Sequence, residues 1–109
     1  MIVLRVPFKR GFFITERSVK FLFNMGTLEA ATERMNIDLW QMGDVSSYDL
    51  TLAILYEGYR SANKERRRRD KYTFHHAVYW MEHISKGESQ KFTKAMTELM
   101  GTFEKKKTR

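Results

Sequence analysis

The chain of 109 residues contains no cysteine, which excludes a disulfide scaffold, a zinc site with thiolate ligands and a cysteine nucleophile. Pro7 is the only proline, and the six glycines stand singly, so neither a phosphate-binding loop nor a dinucleotide-binding glycine fingerprint occurs. No apolar run reaches the roughly 18 residues that cross a bilayer. Residues 1–7 are too short, and carry their charge in the wrong place, for a signal peptide. These absences favour a protein of a reducing cytosol that does not bind a membrane.

The sequence does contain enough apolar material for a core, because 42% of its residues are apolar and 14% are aromatic. With a length that fits one domain, this composition argues against global disorder. The net charge of +7 is concentrated in two places. Residues 60–71 carry seven Lys or Arg against two Asp or Glu, and residues 105–109 carry four and no acid. Proteins that lie on nucleic acid along a folded face usually spread such residues over their elements, and this chain does not.

Alternating β-branched and aromatic residues predict strands near the N-terminus. The candidate strands are residues 2–6, 12–15 and 19–23. We expect Glu16 and Arg17 to turn the second candidate back into a hairpin, and Pro7 and Gly11 to bracket a loop.

Apolar residues at helical spacing predict four helices after these strands. The helices are expected at about 28–36, 47–63, 74–86 and 90–104. Their N-terminal caps are expected to be Thr27, Ser46, Thr73 and Ser89. Asn36 and Gly87 are expected to end the first and the third helix.

The helical periods also predict the core and the domain organisation. The core is expected to include Leu50, Ile54, Trp80, Met96 and Leu99. We therefore predict a mainly α fold, with one small domain of about four helices over residues 1–104 and a short β-hairpin or strand segment within residues 1–24. Residues 105–109 are expected to form a basic, solvated tail.

The only histidines, His75, His76 and His83, are the first candidates for a metal or general-base role. His76 and His83 share a helix face but lie two turns apart, or about 10.5 Å. That separation is too large for one metal ion with ligands at about 2.1 Å. Ser, His and Asp all occur, but without the nucleophile elbow of a hydrolase. We therefore expect no enzymatic activity, no metal, no cofactor and no small-molecule substrate.

The run Arg66, Arg67, Arg68 and Arg69 is the strongest local signal. Guanidinium groups bind phosphates and carboxylates bidentately, so the run is a candidate contact for nucleic acid or for an acidic protein partner. A solvated loop is the alternative interpretation. Because no predicted helix presents base-reading residues beside the run, we expect no sequence-specific nucleic-acid partner.

Aromatic residues of the helical part offer a second candidate surface. They are Trp40, Tyr56, Tyr59, Tyr72, Tyr79 and Trp80. They indicate either a base-stacking platform or a core with its edge, and for Trp80 we favour the core. Trp40 is expected on a linker, where it is a candidate anchor for a partner helix. Tyr56 and Tyr59 join it as partner-binding candidates.

The order of these segments resembles that of a known family. A strand ending in Val19–Asn24 leads to Gly26-Thr27-Leu28-Glu29-Ala30-Ala31, the turn Asn36-Ile37-Asp38-Leu39-Trp40, a helix Asp49–Tyr59 and then Tyr72-Thr73-Phe74 before Tyr79-Trp80-Met81. Over residues 12–101 this order is similar to that of the tail assembly chaperones of long-tailed phages and the related small proteins of gene transfer agents. The chain departs from many members in residues 1–11 and in the arginine run.

The resemblance implies an assembly factor in the cytoplasm of the bacterial host that is absent from the mature virion. Members of this family bind the long, helical tape measure protein and recruit tail tube subunits, so both proteins are the implied partners, with self-association as a further option. Two alternatives stay open: a small basic nucleic-acid-binding protein such as a phage regulator, and a structural phage interaction module.

Overall fold

The computed structural model describes residues 1–40 and 47–107. Two strands come first, β1 (Ile2–Arg10) and β2 (Phe13–Phe21). Four helices follow in this part of the chain: α1 (Met25–Arg34), α2 (Ser47–Glu65), α3 (Phe74–His83) and α4 (Lys86–Lys107). The prediction of a mainly α fold with four helices and an N-terminal hairpin is confirmed.

The hairpin is longer than predicted, and its turn lies elsewhere. β1 and β2 pair antiparallel along their whole length up to Arg10 opposite Phe13, which leaves Gly11 and Phe12 as a two-residue turn. Gly11 has a φ of +56°, which the first central position of such a tight turn requires. The predicted turn at Glu16–Arg17 is therefore wrong, because both residues lie inside β2.

The loop expected to begin at Pro7 is also wrong. Pro7 lies inside β1, opposite Glu16 of β2. Both strands of a two-stranded sheet are edge strands, and a residue without an N–H is tolerated there. Around Pro7, Leu4 and Val6 turn their side chains into the core and are fully buried.

α1 begins earlier than predicted because Asn24, and not Thr27, caps it. The Asn24 side chain accepts the N–H of Thr27 at 3.0 Å, and the Thr27 hydroxyl accepts the N–H of Asn24 at 3.2 Å. Thr27 is fully buried and donates its hydroxyl proton to the carbonyl of Leu22 at 2.7 Å. The left-handed conformation expected for Asn36 is confirmed by its φ of 56°.

α2 is the central helix, as predicted. Most of its middle is buried, namely Leu52, Ala53, Ile54, Leu55, Tyr56, Glu57, Gly58 and Tyr59. It packs against α1, α3 and β2. The predicted cap Ser46 lies outside the described residues.

The boundary between α3 and α4 differs from the prediction. Thr73 caps α3 as expected, but the helix ends at His83 because Ile84 is extended, with φ −63° and ψ 142°. Ser85 then starts α4, accepting the N–H of Ser89 at its carbonyl at 2.9 Å. Gly87 therefore lies in the first turn of α4 and does not end α3, and Ser89 is not a cap.

The core joins the inner face of the hairpin to the helices. Its largest fully buried side chains are Trp80, Phe21, Leu4, Leu28, Ile54 and Leu55. Of the predicted core residues, Ile54, Trp80 and Leu99 are buried, whereas Leu50 and Met96 are partly buried and pack against the core. Among the described residues, no helix is long and apolar enough to cross a membrane.

Candidate interaction surfaces

Tyr56 and Tyr59, two of the predicted partner-binding residues, are buried in the folded chain. The Tyr59 hydroxyl accepts the N–H groups of Lys71 at 2.6 Å and Tyr72 at 2.9 Å, and the Tyr56 hydroxyl donates to the carbonyl of Tyr72 at 3.2 Å. Burial, helped by the nearby carboxylate of Asp70, raises the pKa of Tyr56. The two tyrosines hold the segment after the arginine run against α2 and expose little surface, which argues against the expectation that they contact a partner.

Trp80 is fully buried, which confirms the core interpretation. The edge-on neighbours of its ring, with centroid distances of 5.7–5.8 Å, are Phe8, Phe21, Tyr59 and Tyr72. Edge-to-face pairs of this kind each contribute about 0.5–1.5 kcal/mol beyond their buried area. A base-stacking platform on Trp80 is therefore excluded by its burial.

Trp40 lies at the surface, with 59% of its area exposed. Its ring centroid is 5.6 Å from that of Phe103, which is buried near the end of α4. The backbone N–H of Trp40 donates to the Asp38 carboxylate at 3.2 Å. Tyr48, at the start of α2, is also exposed, at 47%. Trp40 thus lies outside the four helices, as expected, and its ring is accessible, while its role as an anchor for a partner stays a prediction.

The tip of the hairpin exposes a cluster that the sequence pattern did not single out. Phe12, in the turn, is fully exposed, and Phe13 and Ile14 at the start of β2 are 74% and 62% exposed. The basic residues Lys9 and Arg10 precede them and are also exposed. In the sequence, this apolar cluster is typical of a buried strand. In the structure, Gly11 and Phe12 form the turn of the hairpin, so the cluster lies at its exposed tip.

The arginine run closes the C-terminus of α2. The N–H of Arg68 donates to the carbonyl of Asn63 at 2.8 Å, and the N–H of Arg67 donates to the carbonyl of Lys64 at 3.2 Å. This pair of bonds forms a Schellman motif, with Arg67 in the left-handed position at φ 55°. The run is therefore a helix cap as well as an exposed loop, and positive side chains are favourable at that end of a helix.

An ion-pair network beside the arginine run compensates the buried charge of Glu57. The carboxylate of Glu57, only 3% exposed, accepts from Arg34 Nε at 2.9 Å and from Arg60 Nη1 at 3.1 Å. Arg60 Nε also donates to Asp70 at 3.1 Å, and the second Asp70 oxygen accepts from Asn63 at 2.9 Å. The network ties α1, α2 and the 66–73 segment together, since each charge meets an opposite one.

The histidines do not converge. His76 accepts the backbone N–H of Thr73 at its Nδ1 at 3.0 Å, which helps to cap α3. His75 and His83 are exposed. Within residues 1–40 and 47–107, no group of three or more His, Cys, Asp or Glu is arranged to hold a metal ion.

Comparisons of the chain with models of protein families, with curated proteins and with solved structures find no significant match.

Proposed function

We propose that this protein is a tail assembly chaperone of a long-tailed phage, which binds the tape measure protein and recruits tail tube subunits in the host cytoplasm. The observation that carries the proposal is the exposed ring of Trp40, with 59% of its area open to solvent. Aromatic side chains are enriched at protein–protein interfaces relative to the rest of the surface. The segment order that resembles this family supplies the identity of the partner.

The position of Trp40 suits an anchor for a helical partner. One side of its ring lies near Phe103, with 5.6 Å between the ring centroids, while most of its area is open to a partner. Tryptophan is enriched among the residues that contribute most to interfaces. Tyr48 adds a second exposed ring at the start of α2. An apolar helix face can dock on exposed aromatic side chains of this kind.

The proposed partner is long and helical, so several copies of this protein can bind along it and the total affinity depends on their number. A single small contact binds weakly, but many copies along one partner gain from multivalency when they also contact each other. The nearly neutral charge of the chain outside residues 60–71 and 105–109 suits such an apolar contact.

The test is co-expression with the tape measure protein, identified as the very long helical reading frame encoded nearby. We expect the partner to remain soluble and to co-purify with this protein. Trp40→Ala should reduce the co-purified amount while the variant stays folded by circular dichroism. His75→Ala, which removes an exposed ring near the start of α3, is the matched control and should leave co-purification unchanged.

Two results would count against the proposal. If the tape measure protein aggregates equally with and without this protein, the chaperone role is wrong. If Trp40→Ala unfolds the domain, Trp40 belongs to the core and does not serve as the anchor.

A further inference from the structure

The arginine run lies between two neighbouring grooves that differ in charge and that share Arg68 and Arg69. One groove, with a volume of about 410 Å³, is named here the cationic groove. Five basic side chains line it: Lys20, Arg66, Arg68, Arg69 and Lys71. No carboxylate is among the described residues that line it. The groove on the other side of the run is of mixed charge, with Glu33, Glu57, Glu65 and Asp70 among its lining residues.

Two of the acids near the run, Asp70 and Glu57, are already paired with groups outside the cationic groove or with Asn63. Both oxygens of Asp70 are engaged, one by Arg60 and one by Asn63. Glu57 is held by Arg34 and Arg60. Among the described residues, none of the five groove cations forms an ion pair, so their charges are left without a partner inside the fold.

Helix capping accounts for only part of this charge. Positive side chains at the C-terminus of α2 are favoured by the helix dipole, but the effect is confined to the last turn. Lys20 comes from β2, at the opposite wall of the groove, and gains nothing from that dipole. Five like charges that converge from separate segments repel one another, and an anion bound between them removes this cost.

We propose that the cationic groove binds the phosphate backbone of nucleic acid without regard to base sequence, independently of the tail assembly role. Guanidinium groups match phosphate oxygens bidentately, and Arg66, Arg68 and Arg69 supply three of them. The exposed hydroxyl-bearing Ser18 beside Lys20 adds a neutral donor. Backbone contacts of this kind position a strand and carry no sequence information.

The surroundings of the groove favour phosphates over an acidic protein segment. The cores of protein–protein interfaces are apolar, whereas interfaces with nucleic acid are polar and strongly positive. The exposed aromatic side chains lie elsewhere, at the hairpin tip around Phe12 and at Trp40 and Tyr48. Val3 is exposed opposite Lys20 of β2, but it is not among the described residues that line the groove. The apolar residues that line the groove, such as Val19 and Tyr59, are themselves buried.

The test is fluorescence anisotropy with single-stranded and duplex oligonucleotides of about 16 nucleotides, the upper end of common single-strand site sizes. Salt is varied between about 50 and 200 mM, because each phosphate contact adds about 0.7 to the log–log slope on a single strand. The triple variant R68Q/R69Q/K71Q should bind roughly tenfold more weakly or worse, and its slope should fall by about 2. Different base sequences should give affinities equal within about twofold.

The control is K9Q/R10Q/K94Q, which lowers the net charge by the same amount at exposed positions away from the groove. It should retain affinity within about threefold. K20Q provides a second variant on the strand side, in case the triple variant is unstable, and should lower the slope by about 0.7.

Three outcomes overturn the proposal. One is equal loss of affinity in the groove variant and in its charge-matched control. Another is an unchanged salt slope in R68Q/R69Q/K71Q and K20Q. The third is competition by polyglutamate as effective as that by the unlabelled oligonucleotide, since the groove would then be a site for carboxylates as much as for phosphates.

Discussion

Gly58 of α2 lies against the ring of Phe23, and the space between them is too small for a methyl group. A Cβ added at position 58 would overlap the edge of that ring. The carbonyl of Gly58 also accepts the N–H of Leu22 at 3.0 Å. The segment that leaves β2 is therefore held close against the central helix, and close approach is the reason that this helix carries a glycine.

Gly58→Ala should destabilise the protein by up to about 2 kcal/mol. Alanine gains about 1 kcal/mol of helix propensity, but overpacking against a rigid ring costs about 1–3 kcal/mol. Gly101→Ala is the matched control, because position 101 lies in α4 with open space around it and should gain about 0.5–1 kcal/mol. Urea denaturation of both variants gives the sign of each change in unfolding free energy. A gain in stability for Gly58→Ala would show that the Phe23 ring moves aside freely.

The carboxylate of Glu88 links α4 to β1 and makes stability depend on pH. Its Oε2 accepts the backbone N–H of Arg5 at 2.9 Å, and its Oε1 accepts from Lys91 at 3.1 Å. The Arg5 hydrogen bond is the main cause that lowers the pKa of Glu88 below its ordinary value of 4.5. As the pH falls, the unfolded chain therefore binds a proton at Glu88 before the folded chain does. The contribution of Glu88 to stability is fully present above about pH 4.5 and is lost as the pH falls through the lowered pKa of the folded state.

Glu88→Gln should remove this acid-dependent contribution. The difference in unfolding free energy between the wild type and the variant should be largest above about pH 4.5 and should shrink at lower pH. Urea denaturation at a series of pH values measures it. Glu98→Gln, at an exposed position of the same helix, is the control. A difference that does not change with pH would mean that the Arg5 contact is unimportant.

Leu99 tests whether α4 belongs to the core. It is 5% exposed, within the cluster that also contains Phe92 and Phe103. Leu99→Ala should cost about 2–5 kcal/mol in chemical denaturation. Thr97→Ala, at an exposed position on the same helix, should change stability by less than about 0.5 kcal/mol. A loss below about 0.5 kcal/mol at Leu99 would mean that α4 does not pack on the domain.

The helices were predictable because their apolar periods are long, but their ends depend on single hydrogen bonds. The sequence Lys86-Gly87 is typical of a helix end, yet Ser85 starts a new helix there and glycine is carried in its first turn. Both Thr27 and Asn24 are residue types that cap helices. Asn24 is the cap of α1 because its side-chain oxygen accepts the N–H of Thr27 at 3.0 Å. The apolar period of a helix does not show which of two nearby residues caps it.

The exposure of the candidate binding residues was less predictable. A sequence pattern shows that a helix face is apolar, but it does not show which other segment covers that face. Trp40 is exposed although its ring lies 5.6 Å from that of Phe103, whereas Tyr56 and Tyr59 are buried and their hydroxyls bond to the segment that follows the arginine run. That segment looked like a solvated loop, and it is held by the two tyrosine hydroxyls. The pairing of Lys20 with the arginines across a groove depends on tertiary structure that no local pattern contains.

The left-handed backbone of Arg67, with φ 55°, carries a cost that a substitution can remove. A residue with a Cβ is disfavoured there by about 1–2 kcal/mol, whereas glycine is not, although glycine loses more freedom on folding. Arg67→Gly should therefore raise the unfolding free energy by about 0.5–1 kcal/mol in urea denaturation. Asn36→Gly is the control, because asparagine already tolerates its φ of 56° and should gain less.

Arg67 also separates the effect of the charge of the run from that of the cationic groove. It lines the mixed groove but not the cationic one. Arg67→Gly should thus leave oligonucleotide affinity within about twofold of the wild type, while R69Q lowers it, although each variant removes one positive charge. Equal loss of affinity in the two variants would assign binding to the total charge of the run. A destabilised Arg67→Gly variant would mean that the Arg67 side chain contributes more to the fold than its strained backbone costs.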